Sequence, residues 1–141
     1  MKSINIFIDG ASRGNPGPSG IGIVFFDDSK KAVKKLFKFI GNATNNVAEY
    51  TALIYGVQEA LIDKYENITI NSDSELLTRQ LRGEYKVKNE NLKPFYEQFL
   101  HLSRGFNKID VVSIHREQNK LADNLANKAI DSRIDSSLKI E

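Results

Sequence analysis

Four acidic residues sit where a carboxylate is costly: Asp9 after IFI, Glu49 in TNNVAEY, Asp73 in INSDSE and Asp123 in NKLADNLA. An ionised carboxylate beside core-forming segments needs its charge compensated. If folding gathers all four, divalent cations relieve their mutual repulsion best, because such ions take all-oxygen ligand sets. Two ions held about 3.5–4 Å apart suit phosphate chemistry: one turns water into a nucleophile and the other stabilises the leaving oxygen. Each acid also has an ordinary explanation. Asp9-Gly10 suits a turn. Glu49 and Asp123 suit the first turn of a helix, where the macrodipole favours negative charge. Asp73 or its neighbour Ser74 suits a helix cap. The joint placement is what points to chemistry.

The elements that must position these groups follow from periodicity. Residues 2–9 read as a strand with Asn5, Phe7 and Asp9 on one face and Ile4, Ile6 and Ile8 on the other. The segment 11–20, ASRGNPGPSG, reads as a tight loop, and 42–46 as a second polar loop. Residues 21–26 and 33–40 form a hairpin around DDSKK. The stripe Val47, Tyr50, Ile54, Val57 and Leu61 predicts a helix over 47–63, in which Glu49 heads a small and apolar strip of Ala52, Leu53, Gly56 and Ala60. A strand at 68–72 leads to a short helix that opens at Asp73-Ser74 and ends near Gly83. A helix over 89–103, a strand over 109–114 and a helix over 119–130 complete the order. This is a mixed α/β pattern, and the right-handed crossover makes the first and fourth strands parallel neighbours. Ligand sites in such sheets lie beyond the strands' carboxyl ends, where both Asp9 and Asp73 are expected.

Length and composition set bounds. The 141 residues are expected to form one domain over 1–131 with a polar tail over 132–141. The absence of cysteine excludes disulfides, zinc–thiolate sites and a thiol nucleophile. No apolar run approaches the roughly 20 residues of a membrane span, and MKSINIFIDG reads as a strand rather than a signal peptide. A cytoplasmic protein without membrane contact is the expectation. Setting the four acids aside leaves 20 Lys and Arg against 14 carboxylates, a net +6 on the rest of the molecule. A mildly basic body around an acidic pocket suits a polyanionic substrate, although an ordinary solvated surface yields the same count.

The runs DGASRGNPGPSGIG, TNNVAEYTAL, NSDSELL and REQNKLADNLAN, in that order, resemble the type 1 ribonuclease H family. The resemblance spans residues 1–130 and implies that family's fold, a five-stranded mixed sheet in the order 3-2-1-4-5 flanked by helices. It implies cleavage of the RNA strand of RNA–DNA hybrids with two Mg²⁺ or Mn²⁺ ions, leaving 5′-phosphate and 3′-hydroxyl ends. By resemblance Asp9 bridges both ions, Glu49 and Asp73 hold the ion on the leaving-group side, and Asp123 holds the one that activates water. Asn15, Asn45 and Asn46 would contact the nucleic-acid backbone and Thr44 a DNA phosphate. Short amides and hydroxyls on loops suit this, since they reach 2′-hydroxyls and phosphates without reading bases. Arg13 is a further candidate for a phosphate, with a solvated loop arginine as its ordinary reading.

The chain departs from the family in two places. Many relatives carry a glycine-rich loop with a histidine ten residues before the last aspartate. Here His115 stands only eight residues before Asp123, as in a shorter-loop branch that has Arg-Glu at this point, so Arg116 is the first candidate for the auxiliary role and His115 the second. The basic, tryptophan-rich protrusion of some relatives is replaced by residues 82–88, RGEYKVK, and the chain has no tryptophan, which predicts a more salt-sensitive grip on hybrid. Lysines 30, 31, 34, 35 and 38 either assist binding or protect a sheet edge from pairing. A monomer acting on hybrid is expected, with double-stranded RNA as a second substrate that A-form shape would admit. A non-catalytic binding module would be expected to lose one or more acids, and all four are present. The chain's start and short tail argue against a domain of a larger polyprotein.

Overall fold

The β-branched alternation of Ile4, Ile6 and Ile8 with Asn5 and Phe7 builds the central strand, β1 (Ser3–Ser12). The structure, a computed structural model, describes residues 2–133. Antiparallel neighbours β2 (Gly17–Phe26) and β3 (Ala32–Ala43) form a meander with β1, and β4 (Asn67–Ser72) and β5 (Lys108–Ser113) add in parallel on its other side. The sheet order is β3-β2-β1-β4-β5. Helix α1 (Asn45–Ile62) makes the crossover to β4, α2 (Glu75–Leu81) and α3 (Lys93–Ser103) link β4 to β5, and a 3₁₀ turn (Arg116–Asn119) leads into α4 (Lys120–Ser132). The expected α/β class and order are those observed.

One face of the sheet buries Ile4, Ile6, Ile8 and Ile23 against Ala52, Leu53, Val57 and Ala60 of α1. Each of the larger side chains contributes about 1.5–3 kcal/mol by leaving water. A Cβ on Gly56 would lie 3.3 Å from Ile6 Cγ2, so the small strip seen in the sequence lets helix and sheet approach closely. Helix α4 covers the opposite face over β2 through Ala122, Ala126, Ala129 and Ile130.

Several boundaries differ from the sequence reading. β1 and β2 stay paired out to Ser12–Ser19, which shrinks the expected loop 11–20 to residues 13–16. Gly14 keeps the loop's positive φ of 110°, but Gly17 marks close approach within a strand: a Cβ there would lie 2.2 Å from the Arg13 carbonyl oxygen. The loop expected at 42–46 reduces to Thr44, because β3 runs to Ala43 and Thr44 caps α1 by accepting from Val47 N–H at 3.2 Å. α3 begins at Lys93 rather than 89, with Pro94 in its first turn. α4 runs to Ser132, and the remainder of the expected tail, 134–141, lies outside the described residues.

The lysine-rich stretch falls on the edge strand β3. Lys34 there bonds to Glu59 at 2.6 Å and Asp63 at 2.7 Å on α1, and Lys38 lies 5.9 Å over the Tyr55 ring. These two side chains lean on α1, as a protected edge requires. Among the described residues no helix is long and apolar enough to cross a membrane.

Candidate active site

Position 9 lies where the sheet forks. β1 pairs with β4 only as far as Phe7–Asn71, yet it continues beside β2 to Ser12. Asp9 is therefore not at the end of its strand, as expected, but just past the end of its parallel neighbour. The widening gap between β1 and the residues after β4 admits Glu49 from one side and Asp123 from the other.

Glycines set both approaches. A Cβ on Gly10 would lie 2.3 Å from the Ala48 carbonyl carbon, so only glycine lets the α1 backbone press on β1 here. The Gly10 N–H donates to Glu49 Oε1 at 3.1 Å. Glu49 lies in the second turn of α1, not the first, so its 8% exposure owes nothing to a favourable helix terminus. Across the strand Asp9 pairs with Gly22, where a Cβ would stand 2.0 Å from the Ala122 carbonyl oxygen. α4 thus sits on the β2 backbone, and the next residue, Asp123, comes within hydrogen-bonding reach of Asp9.

Capping decides the fate of Asp73. Ser74 is the cap of α2, accepting from Leu77 N–H at 3.2 Å, which leaves the Asp73 carboxylate free of that duty. Asp73 Oδ2 instead accepts from the Asn119 carboxamide at 3.0 Å. Carboxylate oxygens of Asp9, Glu49 and Asp73 all lie within 4.8 Å of one another. Asp123 lines the same cleft, of about 510 Å³, but does not join that three-way group. The expected gathering of four acids is a triad with the fourth at its edge, where Asn127 Nδ2 donates to Asp123 Oδ1 at 3.2 Å.

Burial and the carboxylates of Glu49, Asp73 and Asp123 all push the Asp9 carboxyl far above the usual carboxylate range. Burial also raises Glu49, aided by the charges of Asp73 and Asp123 and opposed by its bonds from Asp9 and the Gly10 N–H. Glu49 opposes the ionisation of Asp9, so in the ion-free protein Asp9 retains a proton that an isolated carboxyl would have lost and shares it with Glu49.

The donor set fits hard divalent cations. All the groups are carboxylate oxygens, and Glu49 Oε2 is buried with no hydrogen-bond partner in the structure. A buried charged atom left without a donor is what a cation would satisfy.

The remaining sequence candidates divide. Asn45, Asn46 and Arg116 line the cleft with the acids. Thr44 is occupied as the cap of α1, and Asn15 Oδ1 accepts from the Asn45 N–H at 3.0 Å, which ties the loop 13–16 to that helix end. His115 is exposed outside the cleft lining, its backbone N–H held by Gln118 Oε1 at 2.9 Å. Arg13 does not stand free toward the cleft: it pairs with Asp131 at 2.6 Å and donates to Asn127 Oδ1 at 3.2 Å. It meets the site from behind, through Asn127, whose amide bonds to Asp123. Sequence reading missed Asn119 and Asn127. The signal for Asn127 was available, four residues after Asp123 on one helix face; for Asn119 it was not, because its partners Ile8 and Asp73 are remote in sequence.

Comparison with known proteins gives consistent matches. The reverse transcriptase-like family matches residues 7–129. A bifunctional protein of Mycobacterium tuberculosis is 39% identical over 138 residues, 97% of this chain but 38% of its own length, so the chain spans little more than a third of that relative. The crystal structure of RNase H1 from the archaeon Halobacterium salinarum has a TM-score of 0.90 and 35% identity, covering 92% of this chain and 98% of the other. LC11-RNase H1, solved in complex with an RNA/DNA hybrid, has a TM-score of 0.89 and 38% identity, covering 92% and 98%.

Proposed function

This chain belongs to the type 1 ribonuclease H family, within the reverse transcriptase-like group, and from that premise we propose that it hydrolyses the RNA strand of RNA–DNA hybrids. The observation that carries the reading is the carboxylate triad, Asp9 and Glu49 buried and Asp73 half-buried, with one oxygen of Glu49 unpartnered and Asp123 beside it. Asp9 would be shared by two Mg²⁺ or Mn²⁺ ions, with Glu49 and Asp73 on the leaving-group side and Asp123 on the water side. When bound, the ions supply an activated water and neutralise charge on the leaving oxygen, giving 5′-phosphate and 3′-hydroxyl products. The chain's own residues do the rest. The Gly10 N–H fixes the Glu49 carboxylate, Asn119 fixes Asp73, and Asn127 fixes Asp123.

Asn45 and Asn46 form one wall of the cleft, at the N-terminus of α1, where peptide N–H groups favour a phosphate. Asn15 and Thr44 brace that wall and present their remaining hydrogen-bonding capacity to the nucleic-acid backbone. We place the enzyme in the cytoplasm as a monomer whose catalytic domain covers residues 1–131. A gel assay on matched duplexes tests the substrate: hybrid labelled in the RNA strand should be cut, and the DNA strand left intact. Equal cutting of double-stranded RNA would favour the broader nuclease reading, which A-form shape alone would permit.

Arg116 lines the cleft and His115 does not, which supports the arginine in the auxiliary role. Losing a charge-assisted contact of its kind costs about 1.5–3 kcal/mol, so Arg116→Ala should lower turnover about 10- to 100-fold. His115→Ala should change it less than about threefold. Steady-state rates with the opposite ranking would reassign the role.

A further inference from the structure

Asn119 is only 1% exposed, at the junction of the 3₁₀ turn and α4. Its Nδ2 donates twice, to the Ile8 carbonyl oxygen at 2.9 Å and to Asp73 Oδ2 at 3.0 Å. Both partners can only accept, so chemistry fixes the amide with its NH₂ end toward them. Ile8 directly precedes Asp9 on β1, Asp73 directly follows β4, and Asn119 itself opens the helix whose first turn carries Asp123. One carboxamide thus ties together the three elements that present three of the four acids.

We propose that Asn119 is a positioning residue for the ion site, holding the Asp73 carboxylate inward against the repulsion of Asp9 and Glu49. The inference deepens the hydrolase reading and rests on it. Asp73 is half-buried at a strand end, and repulsion by two neighbouring carboxyls drives it outward toward water. The Asn119 N–H opposes that movement while occupying one side of one oxygen, which leaves lone pairs for a cation. Hydrogen-bond partners that orient metal-binding carboxylates are typically worth 10- to 100-fold in metal affinity.

The test is Mn²⁺ binding to the full chain without nucleic acid, followed by calorimetry for the wild type, Asn119→Ala, Asn119→Leu and Gln118→Ala. The leucine variant keeps most of the buried volume, and circular dichroism reports whether each variant folds. We expect Mn²⁺ affinity to fall about tenfold or more in both Asn119 variants and to stay within about twofold in Gln118→Ala. The half-saturating Mg²⁺ concentration for cleavage should rise in parallel, while KM for hybrid stays near the wild-type value. Unchanged Mn²⁺ affinity in either folded Asn119 variant overturns the proposal, as does failure of both to fold, which would make Asn119 part of the scaffold alone. The titration needs no turnover, so a wild type that binds Mn²⁺ but cuts no hybrid would defeat the hydrolase reading and leave this result legible. A wild type that binds no Mn²⁺ defeats both.

Discussion

Asp9→Asn is expected to lose at least about a thousandfold in kcat on hybrid while folding as stably as the natural chain, or more so. The expectation follows from where Asp9 sits. It touches Glu49 and Asp123 and lies beside Asp73, so it is the one carboxylate common to both sides of the cleft. An amide keeps the volume and one acceptor but removes the charge that two cations would share. Stability should move the other way, because the amide cannot be forced to ionise in a buried cluster of carboxyls. A purely structural aspartate would behave oppositely, losing stability and leaving turnover of the folded fraction intact. Steady-state kinetics and thermal unfolding on the same preparation separate the two cases.

The ion-free protein is expected to lose stability as pH rises, and divalent cations to restore it. Asp9 and Glu49 are both raised above their ordinary range in the folded state. A group of this kind favours folding fully below the unfolded-state value near 4, and that contribution disappears as pH climbs through the raised folded values. In EDTA, therefore, the midpoint should fall between about pH 4.5 and pH 8 relative to Asp9→Asn, by about 5 °C or more. Using the variant as reference cancels pH effects common to both proteins. Mg²⁺ should close the gap at about pH 8 and do little at about pH 4.5, where protons compete for the same oxygens. A gap that is constant with pH, or Mg²⁺ stabilisation that is stronger in acid, would contradict the electrostatics of the cluster.

How far the site was legible in the sequence depends on the range of the interactions. Asp9, Glu49, Asp73 and Asp123 could be found because each stands beside a strand or a helix whose period is strong, as with Ile4, Ile6 and Ile8 or Val47, Tyr50 and Ile54. The order of elements and the parallel pairing of the first and fourth strands followed from the same patterns, and the full sheet order from the family resemblance. Loops were read too long wherever glycine served tertiary contact. Gly17 and Gly20 lie inside a strand because the Arg13 carbonyl and α4 press on it, and no local pattern distinguishes that use from a turn. The bonds that aim the carboxylates were invisible for a related reason: Asn119 meets Ile8 and Asp73 across 111 and 46 residues. Arg13 shows the complementary case. Its loop position offered a phosphate contact or a solvated arginine, and could not show that α4 brings Asp131 and Asn127 to it.

The central claim is that these carboxylates hold two divalent ions around one shared aspartate. Crystals of the protein with Mn²⁺ and a hybrid made uncleavable at one position would test it most directly through anomalous scattering. Two peaks about 3.5–4 Å apart are predicted, one among Asp9, Glu49 and Asp73 and the other between Asp9 and Asp123. A single peak that leaves Asp123 without a metal contact, or none at the cluster, would contradict the account.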